Sequence, residues 1–157
     1  HSFDAYILGS AEVVGLMCLR VFVEGNDAEY QRLKPPAMRL GAAFQKVNFL
    51  RDLRHDHQSL GRTYFPGIDV LNLDAKAKEG IEQSIDADFD AGHEGIKQLP
   101  RGARFGVYVA YRYYRALHER IRLMPSERIL AERVSVPNTA KASLLMRSYV
   151  RHSLGLL

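Results

Sequence analysis

A chain of 157 residues, 46% apolar and 25% charged, is long enough to bury a core and too apolar for a disordered tail. Its formal net charge of +4 suits an anionic ligand, yet it has no basic run and no Lys/Arg cluster with interleaved aromatics, which argues against a nucleic-acid surface. The lone cysteine, Cys18, allows no internal disulfide and points to a reducing compartment, where it reads as a small core residue.

The length suggests one domain spanning 1–157, and the opening residues carry no signal-peptide pattern. Residues 4–24 read as a long helix with Tyr6, Ser10, Val13 and Met17 on one face. Glu12 and Arg20 interrupt its apolar run, so it reads as a buried helix and not as a membrane span. Gly25, Asn26 and Asp27 signal a turn, and Pro35-Pro36 are expected to open the next helix, over 36–57.

That second helix carries Gln45, Asn48, Asp52 and Asp56, which fall within an arc of about 80° at helical periodicity. Met38, Gly41 and Phe49 share the sector. Carboxylates four apart on a helix repel by a few tenths of a kcal/mol unless a cation lies between them. Mg²⁺ commonly binds through one or two carboxylates plus substrate phosphates. Arg51, and Arg62 in a glycine-flanked turn, have the planar fork that suits phosphate oxygens. The spacing alone leaves two readings open: a Mg²⁺–diphosphate site, or a helix surface held by Asp–Arg pairs. His55 and His57 flank Asp56 but lie two apart, on different sides of a helix, so a zinc site is not expected.

Residues 58–72, punctuated by glycine and proline, read as a loop over the acidic end of this helix. Asp74 is expected to cap a helix over 75–98. Asp86 and Asp90 there repeat the four-residue spacing, but no Gln/Asn ladder precedes them, so Asp86, Asp88 and Asp90 read as a solvated face. Residues 99–102 break the chain before a tyrosine-rich helix over 103–123, ended by Pro125. At least two of Tyr108, Tyr111, Tyr113 and Tyr114 are expected to pack in the core. Residues 133–137 read as extended, and Asn138 as the cap of a last helix reaching about His152.

Residues 40–66 resemble the second aspartate-rich signature of the squalene and phytoene synthase family. The match rests on Leu40, Gly41, Gln45, Asn48, Arg51, Asp52, Asp56, Arg62, Tyr64 and Pro66 in register. Tyr6, Gly9, Ser10, Ala11 and Gly15 resemble an earlier conserved helix, although the family usually has small residues where Ile7 and Glu12 stand. The resemblance implies an all-α isoprenoid-synthase fold, of which only the C-terminal half is present. It implies head-to-head condensation of two prenyl diphosphates through a cyclopropyl intermediate, with two geranylgeranyl diphosphates giving phytoene as the leading case. Squalene or dehydrosqualene synthesis from farnesyl diphosphate, and a non-catalytic assembly relative, are the alternatives.

The same resemblance implies roles for individual residues. Asp52, Asp56 and Asn48 would hold Mg²⁺, with Mn²⁺ as a substitute. Gln45, Asn48, Arg51, Arg62, Arg133 and Phe49 would bind substrate, and Tyr6, Tyr64 and Tyr114 would shield or orient a carbocation. The apolar tails call for a long dry cavity between helices. Family members carry a further acidic motif on an earlier helix, so the chain is expected to be part of a longer protein, inactive alone and prone to self-association. A cytoplasmic location, with peripheral membrane contact for product release, is the accompanying expectation.

Overall fold

The computed structural model describes residues 6–60, 74–129 and 133–156, with only the backbone described for residues 54–60 and Glu127. Helix accounts for 86% of the described residues, and none of them is in a strand. Helix α1 is π-helical over Leu8–Glu12 and α-helical over Val13–Phe22. It is followed by α2 (Asp27–Leu60), α3 (Ala75–Lys97), α4 (Arg101–Arg122), the short α5 (Ser126–Ile129) and α6 (Asn138–Ser153).

Helix α2 is the element against which α1, α3 and α4 pack. It begins nine residues before the expected start at 36 and absorbs both prolines. The reason lies at its N-terminus. Asn26 Oδ1 accepts the Glu29 N–H at 3.1 Å, which is a cap, and Asp27 and Glu29 place acids in the first turn. Arg20 pins the junction by pairing with Asp27 at 2.5 Å. Gly25, at φ +78°, takes the left-handed turn that ends α1, and its N–H donates to Arg20 O at 3.2 Å. Pro35 and Pro36 leave the carbonyls of Gln31 and Arg32 without their helical donors.

Three glycines set how closely the helices approach. A Cβ on Gly41 would lie 2.8 Å from Ala11 O, one on Gly92 would lie 2.9 Å from Leu40 Cβ, and one on Gly95 would lie 2.6 Å from Pro36 Cβ. Only a bare backbone fits at these crossings of α1 on α2 and of α2 on α3. Val47, Leu50, Leu53, Ile85, Phe89, Leu117 and Ile121 form the main core, and Leu19, Val23, Leu33 and Leu99 a smaller one. Tyr108 and Tyr111 are buried in the main core, as expected for two of the four tyrosines.

Several expectations are corrected. The 6–23 helix is buried on one side only: Ile7, Leu19 and Val23 are in the core, but Val13, Met17 and Val21 are exposed, because nothing among the described residues packs on that side of α1. Cys18 is exposed on the same helix. Asp88 is not solvated but completely buried, 2.7 Å from both Arg39 Nε and Lys46 Nζ. Asp86 pairs with Arg115 at 2.6 Å and Arg122 at 3.3 Å. Asp74 does cap α3, accepting the Ala77 N–H at 2.6 Å. For α6 the cap position falls to Pro137, and Asn138 is already helical. Val134 and Val136 are buried while Arg133 and Ser135 are exposed, the alternation of an extended segment. No helix among the described residues is long and apolar enough to cross a membrane.

Candidate active site

Asp52 lies at the acidic end of α2, and two guanidinium groups meet it. Arg51, its neighbour in sequence, hydrogen-bonds both carboxylate oxygens. Arg133, 81 positions later, donates to Oδ1 at 2.9 Å from the extended segment before α6. Burial alone would raise the Asp52 pKa, but the Arg51 hydrogen bond and the charges of Arg51 and Arg133 outweigh it, so the group stays below the ordinary aspartate value. The Arg51 hydrogen bond to Asp52 likewise raises the arginine. Asp52 is thus held ionised.

One turn back along α2, Asn48 Oδ1 lies 3.4 Å from the Tyr114 hydroxyl. The Tyr114 ring stacks on Phe44, with centroids 4.1 Å apart, and meets Tyr113 edge-on. Lys141 Nζ sits 5.7 Å above the Tyr113 ring. Asn48, Arg51, Asp52, Tyr114 and Arg133 therefore come together, drawn from α2, α4 and the segment before α6.

Beyond Phe44 and Gln45 opens a channel of about 640 Å³. Its floor is α2, from Leu33 through Ala37, Leu40 and Gly41 to Phe44. Ser10, Val14, Cys18 and Phe22, four residues apart on α1, form one wall. Gly102, Gly106 and Ala110 on α4 form the other. Leu19, Leu33 and Leu99 of the smaller core stand at the end far from Asp52. From Gln45 to Leu33 the α2 backbone covers about 18 Å at 1.5 Å per residue. The volume is that of an ordinary small-molecule pocket, and the lining is almost wholly apolar.

The expected site residues divide accordingly. Gln45 lines the channel at its mouth. Phe49 does not: it is buried in the main core, its ring 5.7 Å from that of Tyr6. Tyr6 is partly exposed beside it. Asp56 lies on the described backbone of α2, but its side chain lies outside the described residues, as do Arg62 and Tyr64 altogether. Glu12 is half-buried at the end of the π segment, its Cα 3.2 Å from where a Gly41 Cβ would stand. Sequence reasoning missed Phe44 and the α4 wall. Phe44 precedes Asn48 by one helical turn, so its place beside the stripe was readable; the wall needed the packing of α4.

The donors present suit a hard cation. An ionised carboxylate and an amide oxygen are oxygen ligands of the kind Mg²⁺ takes, with water and phosphate completing the shell. Among the described residues no three His, Cys, Asp or Glu side chains gather to hold a metal by themselves.

An all-α bundle with an apolar channel along α2, and Asp52 two turns beyond the channel on the same helix, is consistent with the isoprenoid-synthase fold class. The chain belongs to the squalene/phytoene synthase family: the family's sequence model, described as squalene/phytoene synthase, matches residues 1–140. It is 32% identical over 148 residues to a 15-cis-phytoene synthase of Paracoccus sp. (strain N81106 / MBIC 01143), covering 86% of this chain and 46% of that protein. It is 27% identical over 135 residues to a bifunctional lycopene cyclase/phytoene synthase of Blakeslea trispora, covering 74% of this chain and 22% of that one. The chain thus spans less than half the length of these curated relatives.

Proposed function

We propose that these residues form the diphosphate-gripping and tail-binding part of a head-to-head prenyl-diphosphate condensing enzyme, with two geranylgeranyl diphosphates giving phytoene as the reaction. The observation that carries the reading is the placement of the Asp52–Arg51–Arg133 cluster about two turns along α2 from Gln45, where the apolar channel begins. A molecule with an anionic head and a long hydrocarbon tail fits that pair. The name of the Paracoccus relative supports phytoene as product.

Asp52, with Asn48 and Asp56 of the same helix, would hold Mg²⁺ or Mn²⁺, which would neutralise charge on the diphosphate. Arg51 and Arg133 would exchange their hold on Asp52 for the phosphate oxygens. Arg133 is 70% exposed and free to do so, and a guanidinium fork grips phosphate as it does carboxylate. Fixed positive groups at the leaving oxygen favour cleavage of the carbon–oxygen bond, because the charge that develops there is met without reorganisation. The bond breaks to an allylic cation and free diphosphate. The double bond of the second prenyl chain then attacks the cation, and loss of a proton closes the cyclopropane. Tyr114, stacked on Phe44 between Asn48 and the channel mouth, presents an aromatic face where that cation would lie, worth about 0.5–2 kcal/mol.

Asp52→Asn is expected to weaken binding of inorganic diphosphate with Mg²⁺ by tenfold or more, roughly what one charge-assisted contact supplies. It should change stability by less than about 1 kcal/mol, since one of its partners is exposed. Titration calorimetry and thermal melting measure the two. A variant that melts far lower but binds normally would make the Asp52 cluster structural. Condensation itself is expected only with a second acidic motif facing this one, as the family supplies from an earlier helix.

A further inference from the structure

On the side of α4 turned away from Asp52, three arginines border a second cleft, of about 420 Å³. Arg112 and Arg115 come from α4 and Arg151 from the last turn of α6, with His93 of α3 beside them. At helical periodicity the α4 residues of this cleft lie about 130° around the helix from Tyr114, which faces Asn48. The completely buried Phe89 stands between the two sides. Its ring is 6.3 Å from that of Phe44 on one side and 5.7 Å from that of Tyr111 on the other. The cleft is therefore separate from the Asp52 cluster.

The guanidinium groups here are held in place without being neutralised. Arg112 donates to the Tyr108 hydroxyl at 3.1 Å and lies over that ring, 5.9 Å from its centroid. Arg151 donates to Leu156 O at 3.0 Å. Among the described residues neither has a carboxylate partner. Arg115 does have one, Asp86 at 2.6 Å, and its Cζ sits 5.3 Å from the Phe89 ring centroid. Glu119, the acid in the lining, is already paired with Arg122 at 2.5 Å. Like charges gathered in a cleft repel one another and focus a positive potential on the space between them, which a bound anion relieves.

We propose that this cleft binds a phosphate group, free or carried by a small organic molecule, without a metal ion. At Asp52 the donors are oxygens, which need a cation to hold phosphate; in this cleft the side chains are themselves the cations. A guanidinium fork gives phosphate two parallel N–H bonds. Arg112 and Arg115 are already fixed by their contacts with Tyr108, Asp86 and Phe89, so less ordering is left for the ligand to impose. The cleft holds more than a bare phosphate ion, and Ala116 and Leu144 give it an apolar edge on which an organic part would lie.

The test is titration calorimetry with inorganic phosphate and with phenyl phosphate. EDTA removes metal ions, and salt at about 0.15 M screens diffuse charge. One saturable site per chain is expected. Arg112→Gln and Arg151→Gln should each weaken it about tenfold, the value of one charge-assisted hydrogen bond. Arg151 is exposed, so its variant keeps the test open even if Arg112→Gln disturbs the fold. Arg101→Gln, which removes the same charge about 16 Å away along α4, should leave binding unchanged. So should Asp52→Asn, whose loss is expected with diphosphate and Mg²⁺ instead. Tighter binding of phenyl phosphate than of inorganic phosphate identifies an organic phosphate as the ligand, and equal binding a free ion. The absence of a saturable site overturns the proposal. So does an equal loss in all three arginine variants, which would reduce the effect to net charge. A loss in Asp52→Asn overturns it as well, by placing the phosphate at the Asp52 cluster, and the proposed function would then stand without this second site.

Discussion

His118 is completely buried on α4, with Nε2 3.4 Å from Asp86 Oδ1, and neither ring nitrogen has a hydrogen-bond partner. Burial lowers its pKa by more than Asp86 and Glu82 raise it, so the imidazole is neutral in the fold and the Asp86 contact is not an ion pair. The unfolded chain, with histidine near pH 6.5, takes up the proton first. This contribution to stability is therefore complete above about pH 6.5 and lost as pH falls from there toward the lower folded value. Asp52, also depressed, acts in a separate window, below about pH 3.9. The melting temperature should fall between about pH 7.5 and pH 5.5, and His118→Phe, placed beside Phe89, should flatten that slope. An unchanged acid slope in the variant would assign the effect to another group. Residue-scale legibility was uneven. Spacing exposed Asp52 and Asn48, because helix geometry aligns them whatever surrounds them. Asp88 was misread although a sign was present: it lies seven residues after Ile81 and three after Ile85, on the apolar face of α3. Its partners Arg39 and Lys46, on another helix, could not be read from one sequence.

Among the elements, α2 shows what local rules leave undecided. Proline is common in a first turn, so Pro35-Pro36 marked an expected start. The Asn26 cap and the packing of Pro36 on Gly95 carried the helix through them. The crossing of α2 on α3 is thus fixed at two places, by Pro36 on Gly95 and by Asp88 between Arg39 and Lys46. Gly95→Ala should destabilise by about 1–3 kcal/mol, since the new methyl overlaps the proline ring. Asp88→Asn should remove about 3 kcal/mol by leaving Lys46 without its buried counter-charge. Gly80→Ala, where no atom lies within 4 Å, should be neutral or stabilising. Denaturant midpoints at a constant slope check all three. Equal losses at Gly95 and Gly80 would show that backbone conformation, and not the helix crossing, decides. The all-α class and the five longer helices were legible from periodicity, with the start of α2 misplaced. The π turn in α1 was not, because its cause is a local choice of hydrogen bond.

For the molecule as a whole, the apolar side of α1 is the telling surface. Val13, Met17 and Val21 stand exposed along it. A patch of that kind drives association. The 157-residue chain on its own should sediment as a concentration-dependent oligomer, and Met17→Glu with Val21→Glu should shift it toward monomer. A monomer at all concentrations would mean that this face needs no cover.

Cys18 lies on that helix too, exposed and yet part of the channel wall, and it is the only thiol in the sequence. The protein thus carries its own reporter of channel occupancy. The rate at which a small alkylating reagent consumes this sulfur should drop when a long-tailed diphosphate is bound and stay the same with inorganic diphosphate, so that one kinetic trace, on unsubstituted protein, separates tail from head.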